Sequence, residues 1–360
     1  METSFDEVVL EEIKGEKEDE EKLRRSKSKL YSYPADFTLE VLIEKLHHNE
    51  IKLPEFQRRY IWTKEKASGL IESFLLSLPV PPVYLFTRKD GTLLIIDGHQ
   101  RLQSILRYFD NRWEGESGFK LDLGEESELN NKSFTDLSAS DQKRLKNSVM
   151  RAVVIEPLES SDDAMYDMFQ RLNTGGVLLT PQEIRNSVYH GKFNDLLLRL
   201  NLDKNWRMVF GKPTEDNRMR DVELILRGIA LCHVGTKVNG DILKYRSSMK
   251  SFLNDFMEAN QNADEKWLDA TRLLFTRTVE QITDDLGEQP FHLRRLMNAP
   301  TYDAVFVAFA RHLDKIPGDI KSRYQKLKDI RAFQELTGYR PTSETSVNGR
   351  MEIAEKVLFG

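Results

Sequence analysis

Apolar positions recur every three or four residues along much of the chain. Leu39, Leu42, Ile43 and Leu46 define one such face, with Thr38 placed to cap the helix they predict. Leu70, Ile71, Phe74, Leu75 and Leu78 define a second, over Lys64 to Leu78. It stops at Pro79-Val80-Pro81-Pro82, because proline neither donates a backbone hydrogen bond nor tolerates a helical residue before it. Then the period changes. Val83 to Phe86 and Leu93 to Ile96 are short apolar runs separated by Lys89-Asp90-Gly91-Thr92, and Asp-Gly suits the positive φ of a tight turn. They predict a hairpin whose return strand is apolar throughout, as in a strand covered on both faces. Gly98 to Tyr108 resumes helical spacing, with Leu102, Ile105, Leu106 and Phe109 inward. Ile51 to Pro54 reads as a short extended piece, residues 113–133 as a loop, and Val149 to Ile155 as a strand.

From Asp162 onward the spacing is almost wholly helical. Helices are expected over Ala164 to Leu172, Thr180 to Tyr189, Phe193 to Leu200, Met219 to Val234, Ile242 to Glu258, Asp264 to Leu286, Asp303 to Leu313, Ile320 to Leu336 and Arg350 to Leu358. Residues 1–30 alternate acidic and basic runs with little apolar surface to offset the entropy of ordering, and read as a disordered charged tail. The basic half of that tail is a second possibility for docking nucleic acid or an acidic partner. The expected organisation is α+β: a small mixed domain over 31–160 and a mostly α-helical domain over 161–360.

Composition narrows the function classes. The 360 residues carry a formal net charge of −5, which argues against a uniformly basic DNA-coating protein. A local basic groove stays open, since 53 lysines and arginines must be placed somewhere. One cysteine, Cys232, excludes an internal disulfide and a cysteine-based zinc site, and suits a reducing cytoplasmic setting. Its apolar helical context predicts an inert core residue. There is no secretory-type N-terminus and no apolar run near the ~20 residues that span a bilayer.

Three segments have the residue types for chemistry. In the first, an apolar strand runs into Asp97-Gly98-His99-Gln100-Arg101 and straight into a helix. Free amides at a helix start, with the helix dipole, attract anions. Gly98 admits close approach to the backbone, Arg101 can grip a phosphate with its fork, and His99 and Gln100 can donate to phosphate or base. Asp97, at the strand end, can hold Mg²⁺ or orient a water. The plainer alternative is an ordinary helix start with Asp97 as cap and Arg101 in solvent. In the second segment, Leu53 to Trp62, Gln57, Arg58 and Arg59 lie among Phe56, Tyr60 and Trp62. Arginine between aromatics suits phosphate or nucleic acid, while the aromatics alone could anchor a loop to the core. In the third, Phe169 to Asn186, a helix ends in Asn173-Thr174-Gly175-Gly176. Thr180 then caps the next, with Pro181 at its first position and Glu183 closing a capping box. Asn173 and Thr174 could wall a ligand pocket, or the stretch could be a purely structural connection.

These motifs, in this order and spacing, with Leu70-Ile71-Glu72-Ser73 and Pro79 to Pro82 between them, resemble the N-terminal domain of GmrSD-type modification-dependent restriction systems. That family is catalogued as domain of unknown function 262 and has a ParB/sulfiredoxin-like fold. The resemblance covers roughly residues 35–235. It implies nucleotide binding and slow hydrolysis of a nucleoside triphosphate, with Mg²⁺, at the family's Asp-Gly-Gln-Gln-Arg motif. Here that motif is Asp97 to Arg101, with His99 in place of the first glutamine. It implies phosphate contacts from Gly98, His99, Gln100, Arg101, Gln57 and Arg58, and catalytic roles for Asp97, His99 and Gln100. Sulfiredoxin's cysteine chemistry is excluded, since Cys232 lies far from the motif. The His-Asn-His nuclease arrangement carried by many members is not found after residue 236, where His292 and His312 are the only histidines. The expected role is thus a nucleotide-binding sensor or specificity subunit regulating a separate nuclease partner in antiviral defence. A Mg²⁺-dependent ParB-like DNA nuclease and a non-catalytic DNA- or partner-binding module stand as alternatives.

Overall fold

The computed structural model describes residues 30–52, 60–88, 90–157, 168, 180–238, 241–246, 248–293, 296–338 and 341–360. The chain divides into two compact units, Lys27–Leu178 and one containing Leu179–Gly360.

The first unit is a five-stranded mixed sheet with helices. In chain order it comprises β1 (Leu30–Thr38), α1 (Leu39–His47), β2 (Ile51–Lys52), α2 (Lys64–Leu75), β3 (Val83–Thr87), β4 (Leu93–Asp97), α3 (His99–Phe109), α4 (Ala139–Asn147) and β5 (Val149–Pro157). The strands lie in the order β1-β5-β3-β4-β2. β1 is antiparallel to β5, β5 parallel to β3, β3 antiparallel to β4, and β4 parallel to β2. The β3–β4 hairpin closes as its Asp-Gly predicts. Gly91 has φ +79°, and Asp90 Oδ1 accepts from the Thr92 amide at 3.0 Å and the Thr92 hydroxyl at 2.6 Å; Lys89 lies outside the described residues.

Strand alternation sorts the sheet into two faces. Val83, Leu85, Ile95, Ala152 and Val154 join Leu42, Ile71, Phe74, Leu102 and Ile105 of the helices in one core. Phe86, Leu94, Ile96 and Ile155 point to the opposite face and are buried as well. β4 is therefore covered on both sides, as its unbroken apolar run requires. Thr38 caps α1, its hydroxyl accepting from the Val41 amide at 3.4 Å.

Two elements of this unit escape the sequence pattern. β1 is a nine-residue edge strand through Pro34, and proline is acceptable there because among the described residues one edge of β1 has no strand beside it. α4 is short and polar, but Ser138 accepts from the Asp141 amide at 3.1 Å, a cap readable from its Ser-x-x-Asp. Leu78, expected inside, lies past the end of α2 and is 53% exposed.

The second unit is mostly helical: α5 (Pro181–Val188), α6 (Lys192–Leu200), α7 (Lys204–Phe210), α8 (Arg220–Cys232), the ribbon β6 (Lys237–Val238) and β7 (Asp241–Ile242), α9 (Met249–Asn260), α10 (Glu265–Leu286), the ribbon β8 (His292–Leu293) and β9 (Leu296–Met297), α11 (Ala299–Arg311), α12 (Ile320–Asp329), α13 (Arg331–Gly338) and α14 (Glu344–Phe359). The Thr180 capping box forms as expected: the Thr180 amide donates to Glu183 at 2.6 Å, and the Glu183 amide to Thr180 at 3.2 Å. The helix expected from Ile242 is instead a ribbon strand followed by α9, which Ser248 caps. The single helix expected over Ile320 to Leu336 breaks at Ile330, whose ψ of 114° is extended. α7, capped by Asp203, lies outside the helices that apolar spacing predicts. Helix α11 starts four residues earlier than its apolar spacing suggests, because Asn298 caps it.

Burial in this unit extends to charge. Asp303 accepts from Arg227 at 3.1 and 2.6 Å and from Arg350 at 2.8 Å, and all three are at most 1% exposed. Arg350 also donates to the Pro341 carbonyl. Cys232 ends α8 and is half-buried, at the border of the core rather than within it; desolvation pushes its thiol up to about 12.

Candidate functional site

The apolar drive that buries β4 ends abruptly at Asp97, whose side chain is 51% exposed. One residue later the chain must leave the strand and start a helix, and Gly98 makes the turn in the left-handed region, at φ +96°. A β-carbon here would lie 2.4 Å from Val83 Cγ1. The glycine is thus demanded by packing against β3 as well as by its backbone angle, a reason the sequence did not reveal.

Gly98, not Asp97, occupies the capping position of α3, and no side chain caps the helix. Among the described residues no side chain thus caps the amides of the first turn, which carry the positive end of the helix dipole. Asp97 instead accepts from Arg101 Nη2 at 2.8 Å, a pairing made possible by their i, i+4 spacing. The Arg101 side chain is 15% exposed, so it is not a free solvated arginine. The pair is not sealed either, since the carboxylate side of it is open. Among the described residues Asp97 is the only partner of that guanidinium.

His99 and Gln100 behave differently from each other. His99 is largely buried, and burial, aided by the Arg107 charge, lowers its imidazole to about 4. It is neutral at physiological pH and can offer one N–H and one lone pair. Gln100 uses its amide oxygen to accept from the backbone of Ile61 at 3.1 Å and Trp62 at 3.4 Å. Among the described residues nothing accepts from its terminal N–H₂. One turn on, Ser104 meets the Tyr60 hydroxyl at 2.7 Å, and the Arg107 guanidinium stacks 4.0 Å from the Tyr60 ring centre. Tyr60 and Trp62 pack against the core, the anchoring role open to the aromatics of that segment. Arg107, spaced four and eight residues from Gln103 and His99, was the signal overlooked in the sequence. It fixes Tyr60 and depresses His99.

Residues 39–190 match the family model described as GmrSD restriction endonuclease, N-terminal domain. This segment is a GmrSD-type N-terminal domain. No curated protein matches the chain. The matched family implies a restriction- or defence-system role for this segment, which contains the five residues Asp97 to Arg101. Of the other residues singled out in the sequence, Gln57, Arg58, Asn173 and Thr174 lie outside the described residues. Among the described residues no group of three or more His, Cys, Asp or Glu side chains is arranged to hold a metal. None of the described helices is long and apolar enough to cross a membrane.

His99 gives the GmrSD-type domain an acid sensitivity. The unfolded chain titrates this imidazole near 6.5, the folded domain near 4, so the unfolded state binds more protons between these values. The stability contributed by neutral His99 is present above pH 6.5 and is lost as the pH falls toward 4. His99→Gln, which keeps a polar side chain but cannot titrate, is expected to flatten this limb by on the order of 2–3 kcal/mol. Urea unfolding of both proteins from pH 7.5 to 4.5 measures it, and parallel curves would assign the acid limb to other groups.

Proposed function

We propose that the GmrSD-type domain binds a nucleoside triphosphate at the start of α3 and uses it to control a separate nuclease partner. The observation that carries this reading is the uncapped first turn of α3 beside the open Asp97–Arg101 pair. First-turn amides that no described side chain caps, with a guanidinium that has donors to spare, suit an anion of the polyphosphate kind. Asp97 fits the requirements of Mg²⁺, a hard cation often held by one or two carboxylates plus phosphate oxygens, because its carboxyl is half exposed at the mouth of the turn. The ion, carried in with the nucleotide, would neutralise phosphate charge there.

The chain's own groups divide the remaining work. Arg101 binds phosphate through its other nitrogens while Asp97 holds it in place. Gln100 offers its N–H₂ with its oxygen already fixed. His99, neutral and weakly basic, suits orienting a water by hydrogen bond rather than taking its proton, since an efficient general base titrates near the working pH. Hydrolysis is therefore expected to be slow. A slow reaction suits a timed switch more than a metabolic enzyme.

The test is a thermal-shift and calorimetry panel of ATP, GTP, CTP and UTP with Mg²⁺. A bound nucleotide at 100 times its Kd stabilises the fold by about 2.7 kcal/mol. Arg101→Ala is expected to weaken binding at least tenfold, and Arg101→Lys to recover only part, because it keeps the charge and loses the fork. Equal affinity of the wild type and Arg101→Ala would remove the site.

A further inference from the structure

Tyr60 is joined to the first turn of α3 by a relay of hydroxyls. Its hydroxyl lies 2.7 Å from Ser104 Oγ, and Ser104 Oγ lies 2.8 Å from the Gln100 carbonyl. A serine has one hydroxyl proton, and a carbonyl can only accept. Ser104 therefore donates to Gln100, and Tyr60 donates to Ser104. Burial raises the Tyr60 phenol, so it keeps its proton at physiological pH. Ser104 is fully buried, so bulk water does not compete for its proton.

The relay does not stop at the carbonyl. The Gln100 carbonyl and the Arg101 N–H are the two ends of one peptide unit. That N–H is third in α3, ahead of Leu102, whose amide closes a helical turn by donating to the Gly98 carbonyl at 3.0 Å. A peptide unit that accepts at its oxygen is a stronger donor at its nitrogen, by roughly 10–30% per bond. The Tyr60 ring is itself held, with the Arg107 guanidinium 4.0 Å from its centre and the Trp113 ring edge-on at 5.6 Å. Ile61 and Trp62, next in the chain, hold the Gln100 side chain by its oxygen. Three consecutive residues thus fix both the backbone and the side chain of Gln100.

We propose that Tyr60 is a positioning residue for the nucleotide site: acting through Ser104, it holds the Gln100–Arg101 peptide unit so that the Arg101 amide donates to the bound phosphate. The inference rests on the reading of this turn as a nucleotide site. Tyr60 acts through Ser104 and needs no contact with the ligand. Anchoring to the core accounts for the ring of Tyr60 but not for its hydroxyl, since phenylalanine would fill the same place. The relay needs the hydroxyl and not the ring, so one substitution separates the two roles.

The experiment is calorimetric titration of the full chain with ATP, GTP, CTP and UTP, each with Mg²⁺, alongside thermal melts. Tyr60→Phe keeps the ring with its Arg107 and Trp113 contacts and removes only the donor. It is expected to weaken nucleotide binding about fivefold, within the range that one net hydrogen bond spans. Ser104→Ala should do the same. The double variant should bind no more weakly than the worse single variant, because either cut breaks the same relay. Tyr33→Phe is the control, since it removes a part-buried hydroxyl bond of the same unit, to Glu156 at 3.0 Å between β1 and β5. It should lower the melting temperature much as Tyr60→Phe does, yet leave affinity within about twofold of the wild type. Equal affinities of Tyr60→Phe and Tyr33→Phe, or losses that multiply in the double variant, would overturn the inference and leave the nucleotide site standing. A wild type that binds none of the four nucleotides would remove the site and this inference with it.

Discussion

Asp303→Asn should destabilise the helical unit more than any other single substitution of a charged side chain considered in this chain. The carboxylate is enclosed between Arg227 and Arg350 with no exposure of its own. Burial already pushes the Arg350 guanidinium below its usual range, and Asp303 is what counters it. Removing the negative charge leaves two guanidiniums in a low-dielectric interior without a counter-charge. Breaking a buried pair in this way costs about 3–5 kcal/mol. For a unit of this size that is a drop in Tm on the order of 10 °C. Arg350→Met separates this cause from a simple packing defect. It leaves the Arg227–Asp303 pair intact and neutral in sum, so it should cost less than half as much. Calorimetric melts of both variants decide; equal destabilisation would show that shape, not charge balance, holds the three helices together.

The second large effect is expected from Gly98→Ala. The new methyl group would lie 2.4 Å from Val83 Cγ1 and 2.9 Å from Val83 Cβ, and an L residue would have to adopt φ +96°. The left-handed angle costs roughly 1–2 kcal/mol and overpacking adds about 1–3. Either the strand-to-helix turn opens or β3 shifts, and in both cases the first turn of α3 moves. Nucleotide affinity should therefore fall together with stability. Val83→Ala in the same chain removes the nearer contact, to Cγ1, but leaves Cβ at 2.9 Å and the backbone angle. The double variant should be more stable than the sum of the two single losses, by a coupling energy of about 1 kcal/mol or more. Strict additivity in urea unfolding would mean that the methyl group finds room elsewhere and that Gly98 is needed only for its angle.

What could be read from the sequence depended on how far apart the interacting residues stand. Asp97, Gly98 and Arg101 act within five consecutive positions, so strand, turn and helix are legible there; the Asp97–Arg101 pair, allowed by i, i+4 spacing, stands in place of the expected cap or solvated arginine. The occupation of Gln100 could not, because its partners Ile61 and Trp62 precede it by 39 and 38 residues. The Asp303 cluster joins residues 76 and 47 positions apart, and nothing local marks any of the three as buried. β1 is a different case. Tyr33, Ala35 and Phe37 do alternate, and all three pack on the core. Pro34 in their midst is a sign against a strand that only the edge position cancels. In the helical unit, apolar periodicity located most helices but not their ends, which Asn298, Ser248 and Asp203 set through caps.

The grip of Gln100 on Ile61 and Trp62 ties two distant stretches of polypeptide into one mechanical piece. The protons of those two amides point at a side chain in the first turn of α3, so their exchange with solvent deuterium is governed by how firmly that turn sits. Anything that steadies the turn slows exchange at Ile61 and Trp62, and anything that loosens it speeds them. Two backbone signals, well removed along the chain, thus serve as a built-in gauge of what happens at Gly98.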